Sequence, residues 1–412
     1  MSLLHFKNFE MLDPEIGDVL GGYEILVEGD QIREVSAKPL KPKKASVIDC
    51  GKRTLMPGLI DSHVHVCAST VNLGAMMSMP DALVAFRTAK IMKGMLDRGF
   101  TTVRDVGGGS YALVEAMDEG LFEGPRLFTS GKALSQTGGH SDARSRYDNS
   151  DPTSWARHLG RLGRLCDGVP EVRKAAREEL KQGAHFIKIM ANGGVASPND
   201  PIHFLGFSRE EIIAVVEEAQ NAGTYVAAHL YTDEAIARAV ECGVHSLEHC
   251  NLIKEKTAKV ARKAGAIACP TLVTYEYLKI EGAAMGLPAV SVAKIDTVGL
   301  SGLQSLEIMT KAGLPMAFGT DLLGEMHKYQ SEEFVIRGRA LPAVDIVRSA
   351  TLVGAQLLRM EGKLGCLKPG AFADLILIDG NPLRDLALFT GQGQHMPMIM
   401  KGGRMIKNRL QS

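Results

Sequence analysis

The stretch SREEIIAVVEEAQNAGTYVAAHLYTDEAIARAVECGVHSLEHC, residues 208–250, decides the fold. Ser208-Arg-Glu-Glu211 has the spacing of a capping box, in which a serine hydroxyl and a glutamate carboxylate each satisfy a backbone N–H of the first helical turn. Apolar residues recur at helical spacing from Ile212 to Asn221, and Gly223 stands where a helix C′ residue turns left-handed. Tyr225-Val-Ala-Ala-His229 then reads as a buried strand. A second unit follows at once, with a helix from Asp233 to Cys242, Gly243 as the stop, and the strand Ser246-Leu-Glu-His249. Consecutive βα units of this kind build parallel sheets, and both strands here end in histidine.

The same alternation runs outward in both directions. Strands are expected near 59–65, 102–106, 126–130, 186–190, 225–229, 246–249, 266–272 and 315–319. Eight parallel strands over roughly 300 residues suit a (β/α)8 TIM-type barrel, an α/β fold for which about 250 residues is typical. A doubly wound open sheet is the competitor. It lacks support, because no G-x-G-x-x-G follows the first strand, and Gly107-Gly-Gly109 after the second is a weak phosphate signal. The ends of the chain read differently. Residues 19–56 are short strands and turns, and so are 373–378 and 398–406, with turns at Asp379-Gly-Asn-Pro382 and Gly402-Gly403. The expected organisation is therefore a small β-sandwich domain from 1–56 and 361–412, with the barrel over 57–360.

Composition narrows the function. The 412 residues are 45% hydrophobic and 23% charged, with 17 Pro and 44 Gly, which describes an ordered globular chain. Lys plus Arg and Asp plus Glu number 47 each, so there is no bulk attraction to nucleic acid or an anionic membrane. The longest run without charged side chains, Ser62 to Pro80, carries two His, three Ser, an Asn and a Pro, so no membrane span is expected. The N-terminus meets Glu10, Asp13 and Glu15 before any apolar block, and the seven Cys have no C-x-x-C spacing. A cytoplasmic protein acting on a small molecule is expected.

In a barrel, chemistry sits where strands end. Strand 1 ends in His63-Val-His65, and the period of two puts both imidazoles on one face. Strand 4 carries Lys188 between Ile187 and Ile189, a costly place for an unpaired ammonium unless it reaches out at the strand tip. Strands 5 and 6 end in His229 and His249, and strand 8 in Gly319-Thr-Asp321. Any one of these is unremarkable as a packing residue. Four His, a Lys and an Asp at five strand ends point to metal binding.

With these residues the chain resembles the amidohydrolase superfamily, in particular its binuclear subgroup. The resemblance spans essentially the whole chain, including the split β unit and the entry sequence Met56-Pro-Gly-Leu-Ile-Asp-Ser-His-Val-His65. It implies two divalent metal ions: His63, His65 and Asp321 would hold one, His229 and His249 the other. Lys188, carboxylated by CO2, would bridge them, which resolves the buried ammonium. Zinc suits His and carboxylate ligands, as Mn and Co also do. Such a pair activates a water to hydroxide for attack on a carbonyl, with Asp321 passing the proton to the leaving nitrogen.

A narrower resemblance is to the imidazolonepropionase-like branch that includes prolidases. Gly138-Gly-His140, Asn192-Gly-Gly-Val-Ala-Ser-Pro198, His229-Leu-Tyr231, Pro270-Thr-Leu-Val-Thr-Tyr275 and Gly319-Thr-Asp-Leu-Leu-Gly-Glu-Met-His327 carry it. His140, just past strand 3, would donate to the carbonyl oxygen as it gains charge. Tyr231 would hold the substrate carboxylate, and Thr271, Leu272, Val273 and Tyr275 would wall a side-chain pocket. These residues suit proline or an apolar side chain, whereas selection of Arg or Lys would want a carboxylate such as Glu276 or Glu325. Imidazolonepropionase activity and a mononuclear deaminase are disfavoured by Lys188. The expected function is hydrolysis of Xaa-Pro dipeptides or related N-acyl amino acids by a homo-oligomeric enzyme. An Xaa-Arg/Lys carboxypeptidase, a deacylase, a lactonase or phosphotriesterase, and a non-catalytic scaffold of the same fold stay open.

Overall fold

In the computed structural model, residues 3–152, 158–197, 199–287 and 289–410 are described. The parallel strands are β1 (Leu59–Val64), β2 (Phe100–Asp105), β3 (Arg126–Thr129), β4 (Ile187–Met190), β5 (Val226–Thr232), β6 (Ser246–Leu252) and β7 (Ile267–Cys269). Every residue of β1, β2 and β4 is buried, as expected of strands covered on both faces. Neighbours pair in parallel from β1 to β3 and from β4 to β7.

Two junctions close the ring. Between β3 and β4, His185 N–H donates to Thr129 O at 2.8 Å, and the short strand Ala133–Ser135 pairs with β4. Segment 315–319 fills the eighth place, with Ala317 N–H on Ala268 O at 2.8 Å and Ser62 N–H on Phe318 O at 2.7 Å. The fold is thus a (β/α)8 barrel with an added β domain. The helices cover it as their patterns require. Arg209–Asn221 (α1) forms the capping box of Ser208 and Glu211 and buries Ile212, Val215, Val216 and Ala219. After β5, Asp233–Glu241 (α2) buries Ala235, Ile236, Ala239 and Val240.

The two chain ends meet in one eight-stranded mixed sheet. Leu375–Ile378 lies antiparallel to Ser46–Pro57, with Ile376 opposite Met56. At the far edge Gln31–Ser36 returns beside residues 371–373, where Ile32 N–H donates to Ala371 O at 2.9 Å. The sheet thereby curls over its own core of Phe6, Ile25, Val27, Leu375, Leu377 and Met398. Ser46–Pro57 leads straight into β1, so this sheet anchors the strand that carries the first two histidines.

Candidate active site

His63 leaves the end of β1 with its ring fully buried. Its Nδ1–H points at Glu248 Oε2, 2.7 Å away, which fixes Nε2 toward the barrel mouth. Glu248 is in turn gripped by Arg104, whose Nη2 donates to both carboxylate oxygens at 2.8 and 2.9 Å. His65 Nδ1–H donates to Gly107 O at 2.8 Å, freeing its Nε2 in the same way. Nε2 of His63 and of His65 lie 3.4 and 3.3 Å from Asp321 Oδ1. Two donors held by one ion at about 2.0 to 2.2 Å in tetrahedral geometry are roughly 3.4 Å apart, so each of these histidines stands at ligand-pair distance from Asp321, although the two rings themselves lie 5.6 Å apart, centroid to centroid.

His249 stands 4.8 Å from His63 and 4.7 Å from His229, centroid to centroid. Its Nδ1 is bonded to Thr271 Oγ1 at 2.8 Å. Donor atoms of His63, His249 and Asp321 all fall within 4.8 Å of one another. A second trio, His63, Glu248 and Cys269, also gathers, but Glu248 is already paired with Arg104, and burial pushes the Cys269 thiol well up. That trio is a buttress rather than a metal site.

Backbone and charge both fit ligation. His249, Cys250 and Asp321 have φ of 70°, 60° and 53°, left-handed values that are uncommon for non-glycine residues. Burial, then neighbouring cations, hold His229 and His249 well below the ordinary imidazole range, leaving neutral rings of the kind metals take. For Asp321, burial acts upward, but His63, His65 and His249 together outweigh it and hold the carboxyl well below its ordinary value, so it stays ionised. Lys188 is 1% exposed, and burial pulls its amine down to about 8, partly opposed by Glu248 and Asp321. An amine in that range is readily neutral, as carbamate formation with CO2 requires.

These groups open into a cavity of about 240 Å³, lined by His63, His65, Lys188, His229, His249 and Asp321 together with His140, Tyr231 and Tyr275. His140 stacks on His229 with centroids 4.2 Å apart. Tyr275 OH donates to Tyr231 OH at 2.9 Å, leaving the Tyr231 proton available to a ligand. Burial pushes both phenols upward, so they are neutral donors.

The wall after β7 differs from expectation. The strand stops at Cys269, and residues Leu272–Glu281 form a helix (α3). Helical spacing turns Thr274, Tyr275 and Leu278 to the cavity. Leu272 and Val273, expected in the pocket wall, lie off it. Leu272 packs near Gly302, and Val273 is buried in the core with its N–H on Glu333 Oε2 at 2.6 Å. Thr271 supports His249 instead of facing the cavity. Glu276 is paired outward with Arg339 at 2.8 and 3.0 Å, and Glu325 is exposed. Neither faces the cavity, and among the described lining residues Asp321 is the one carboxylate.

Sequence reading passed over Glu248 and Arg104. Both are charged side chains fully buried on barrel strands, the same signal that singled out Lys188.

A family model described as the amidohydrolase family matches residues 54–406. The chain belongs to the amidohydrolase family. It is accordingly a metal-dependent hydrolase of a small molecule, in a family that generally uses a binuclear metal centre. An ochratoxinase from Aspergillus niger is 31% identical over 370 residues, covering 86% of this chain and 75% of that one. Among solved structures, an amidohydrolase is 53% identical, with a TM-score of 0.98 and all of both chains covered. A prolidase complexed with N-methylphosphonate-L-proline is 47% identical with a TM-score of 0.97, covering 99% of this chain and 100% of that one. No described helix is long and apolar enough to cross a membrane.

Proposed function

We propose that this amidohydrolase cleaves the amide bond of Xaa-Pro dipeptides, or of related N-acyl amino acids with an apolar C-terminal residue. One observation carries the reading. The cavity wall made by Tyr231, Thr274, Tyr275 and Leu278 is neutral, and the two glutamates that would have matched a cationic side chain point elsewhere. A buried Arg or Lys side chain would find no counter-charge there, whereas a pyrrolidine ring needs none. The likeness to a prolidase solved with a phosphonate of proline supports the same choice.

His63, His65 and Asp321 would hold one divalent ion, His229 and His249 a second, with carboxylated Lys188 between them. Zinc ions there would supply Lewis acidity toward the scissile carbonyl and a water deprotonated at neutral pH. The rest is done by side chains. Tyr231 donates its hydroxyl proton to the substrate α-carboxylate, and Tyr275 keeps the phenol aimed by donating to its oxygen. His140 donates to the carbonyl oxygen as charge builds on it. Asp321 accepts the proton of the attacking water and delivers it to the departing nitrogen.

The division into a 1–56 plus 361–412 unit and a 57–360 barrel belongs to this proposal, as do a cytoplasmic location and a homo-oligomeric state. Seven buried, unpaired cysteines support a reducing compartment. The test is a dipeptide library with varied C-terminal residues on metal-replete enzyme. Proline should give the highest kcat/KM, and a clear preference for C-terminal Arg or Lys would overturn the assignment.

A further inference from the structure

The oxyanion-side histidine has its own buried support. Asp200 is 2% exposed, and its Oδ2 lies 3.0 Å from His140 Nδ1 while accepting Gly194 N–H at 2.9 Å. Ser197 Oγ is 2.7 Å from the same ring nitrogen, and its hydroxyl donates to Asp200 Oδ1. The ring is held on its faces as well. His229 stacks on it nearly parallel, at 15°, and a Cβ on Gly194 would come within 1.8 Å of His140 Cε1, so only glycine lets the imidazole seat there. The loop carrying Gly194, Ser197 and Asp200 is itself tied down from another part of the barrel. Lys294, on the helix Ala289–Gly299 (α4), donates to the carbonyl oxygens of Gly194, Ser197 and Asp200 at 2.9, 2.9 and 3.1 Å.

We propose that Asp200 and Ser197 are positioning residues that hold His140 by Nδ1 so that Nε2 faces the scissile carbonyl, with Lys294 bracing their loop against α4. With Nδ1 engaged by a carboxylate and a hydroxyl, the ring cannot flip without breaking both contacts, and Nε2 is the nitrogen left for a ligand in the cavity. Lys294 gives the arrangement a second meaning. The helix that follows the pocket wall of α3 also fixes the loop that aims His140, so substrate fit and carbonyl polarisation share one support. Nothing in residues 194–200 taken alone announces this, since the partners lie 57 to 60 residues from His140.

The inference rests on the donor role given to His140 in the proposed function. It does not depend on which C-terminal residue is preferred, so the test uses the best substrate of the dipeptide library, whatever it is. Asp200→Asn should lower kcat about 10- to 100-fold, the usual size for losing such an orienting partner, with KM changed less than about threefold. Inhibition by an N-phosphonyl proline, which presents tetrahedral oxygens, should weaken by the same factor as kcat, while inhibition by free proline should not change. In a His140→Asn background Asp200→Asn should cost little more, because the group it aims is gone. Ser197→Ala should show the same non-additivity at smaller amplitude and stands in for Asp200→Asn if that variant does not fold. Equal losses from Asp200→Asn with and without His140, or equal weakening of phosphonate and proline, would overturn the positioning role. So would a His140→Asn enzyme of wild-type kcat.

Discussion

Replacing Glu248 by Gln should loosen the metal centre and the barrel together. The carboxylate is fully buried, accepts both bonds from Arg104 Nη2, and receives His63 Nδ1–H. Arg104 is equally buried, and its other donors go to Ser62 O and Ser246 Oγ, so the guanidinium has no second anion. Breaking a buried ion pair by removing one charge costs about 3 to 5 kcal/mol. The amide keeps one acceptor oxygen, which puts the expected loss near the lower end, about 3 kcal/mol. Because Arg104 Nη2 donates to both oxygens, the amide NH2 faces Arg104 in either orientation, with Ser246 Oγ or the His63 N–H beside it, donor against donor. Losing the carboxylate anchor of a ligating histidine should weaken metal binding about 10- to 100-fold. Urea unfolding of metal-free protein isolates the first effect, and competition with a chelating dye measures the second. Burial pushes the Glu248 carboxyl up, but Arg104 and then His63 outweigh it and hold the folded-state value well below the usual range. Its contribution is therefore complete above about pH 4.3, the unfolded value, and is lost as pH falls through the depressed folded one. The Gln variant should accordingly lose less stability on acidification than the wild type. Metal-free stability within about 1 kcal/mol of wild type, together with unchanged metal affinity, would refute the reasoning.

Elemental analysis of gently purified protein should find about two divalent metals per chain, and Lys188→Ala should lose most of them; near-full occupancy in that variant would exclude a bridging lysine. Asp321→Asn keeps an oxygen donor but cannot accept a proton, so metal content should stay largely intact while kcat falls by about 10²- to 10⁴-fold. Tyr231→Phe removes one charge-assisted hydrogen bond, worth about 1.5 to 3 kcal/mol, so kcat/KM on free dipeptides should drop roughly ten- to a hundredfold. Amidated dipeptides, which lack the carboxylate, should be poor substrates and nearly indifferent to this change. Equal losses on both series would remove Tyr231 from carboxylate binding.

The features legible in the sequence are those set by near neighbours. The spacing of His63 and His65 put both rings on one side of β1 because side chains alternate along any strand. Ser208 and Glu211 marked the start of α1, and glycines such as Gly223 and Gly243, with φ of 71° and 91°, marked where helices end. His229 and His249 were expected to end their strands, but β5 and β6 each run three residues further; both rings still line the cavity, because each βα unit returns the chain in the same direction. Sequence by itself thus determined the barrel and the residue types gathered in its cavity.

The tertiary structure decided what depends on partners far along the chain. Residues 271–275, Thr-Leu-Val-Thr-Tyr, favour a strand by local propensity, yet α3 begins at Leu272. Glu333 takes Val273 N–H, and Arg337 takes Pro270 O, so packing against a later helix overrides β-propensity and changes which side chains reach the cavity. Glu248 meets Arg104 across 144 residues, and Asp200 meets His140 across 60. A buried charge is costly until its counter-charge arrives, and which counter-charge arrives is settled only when strands and loops take their places in the closed barrel.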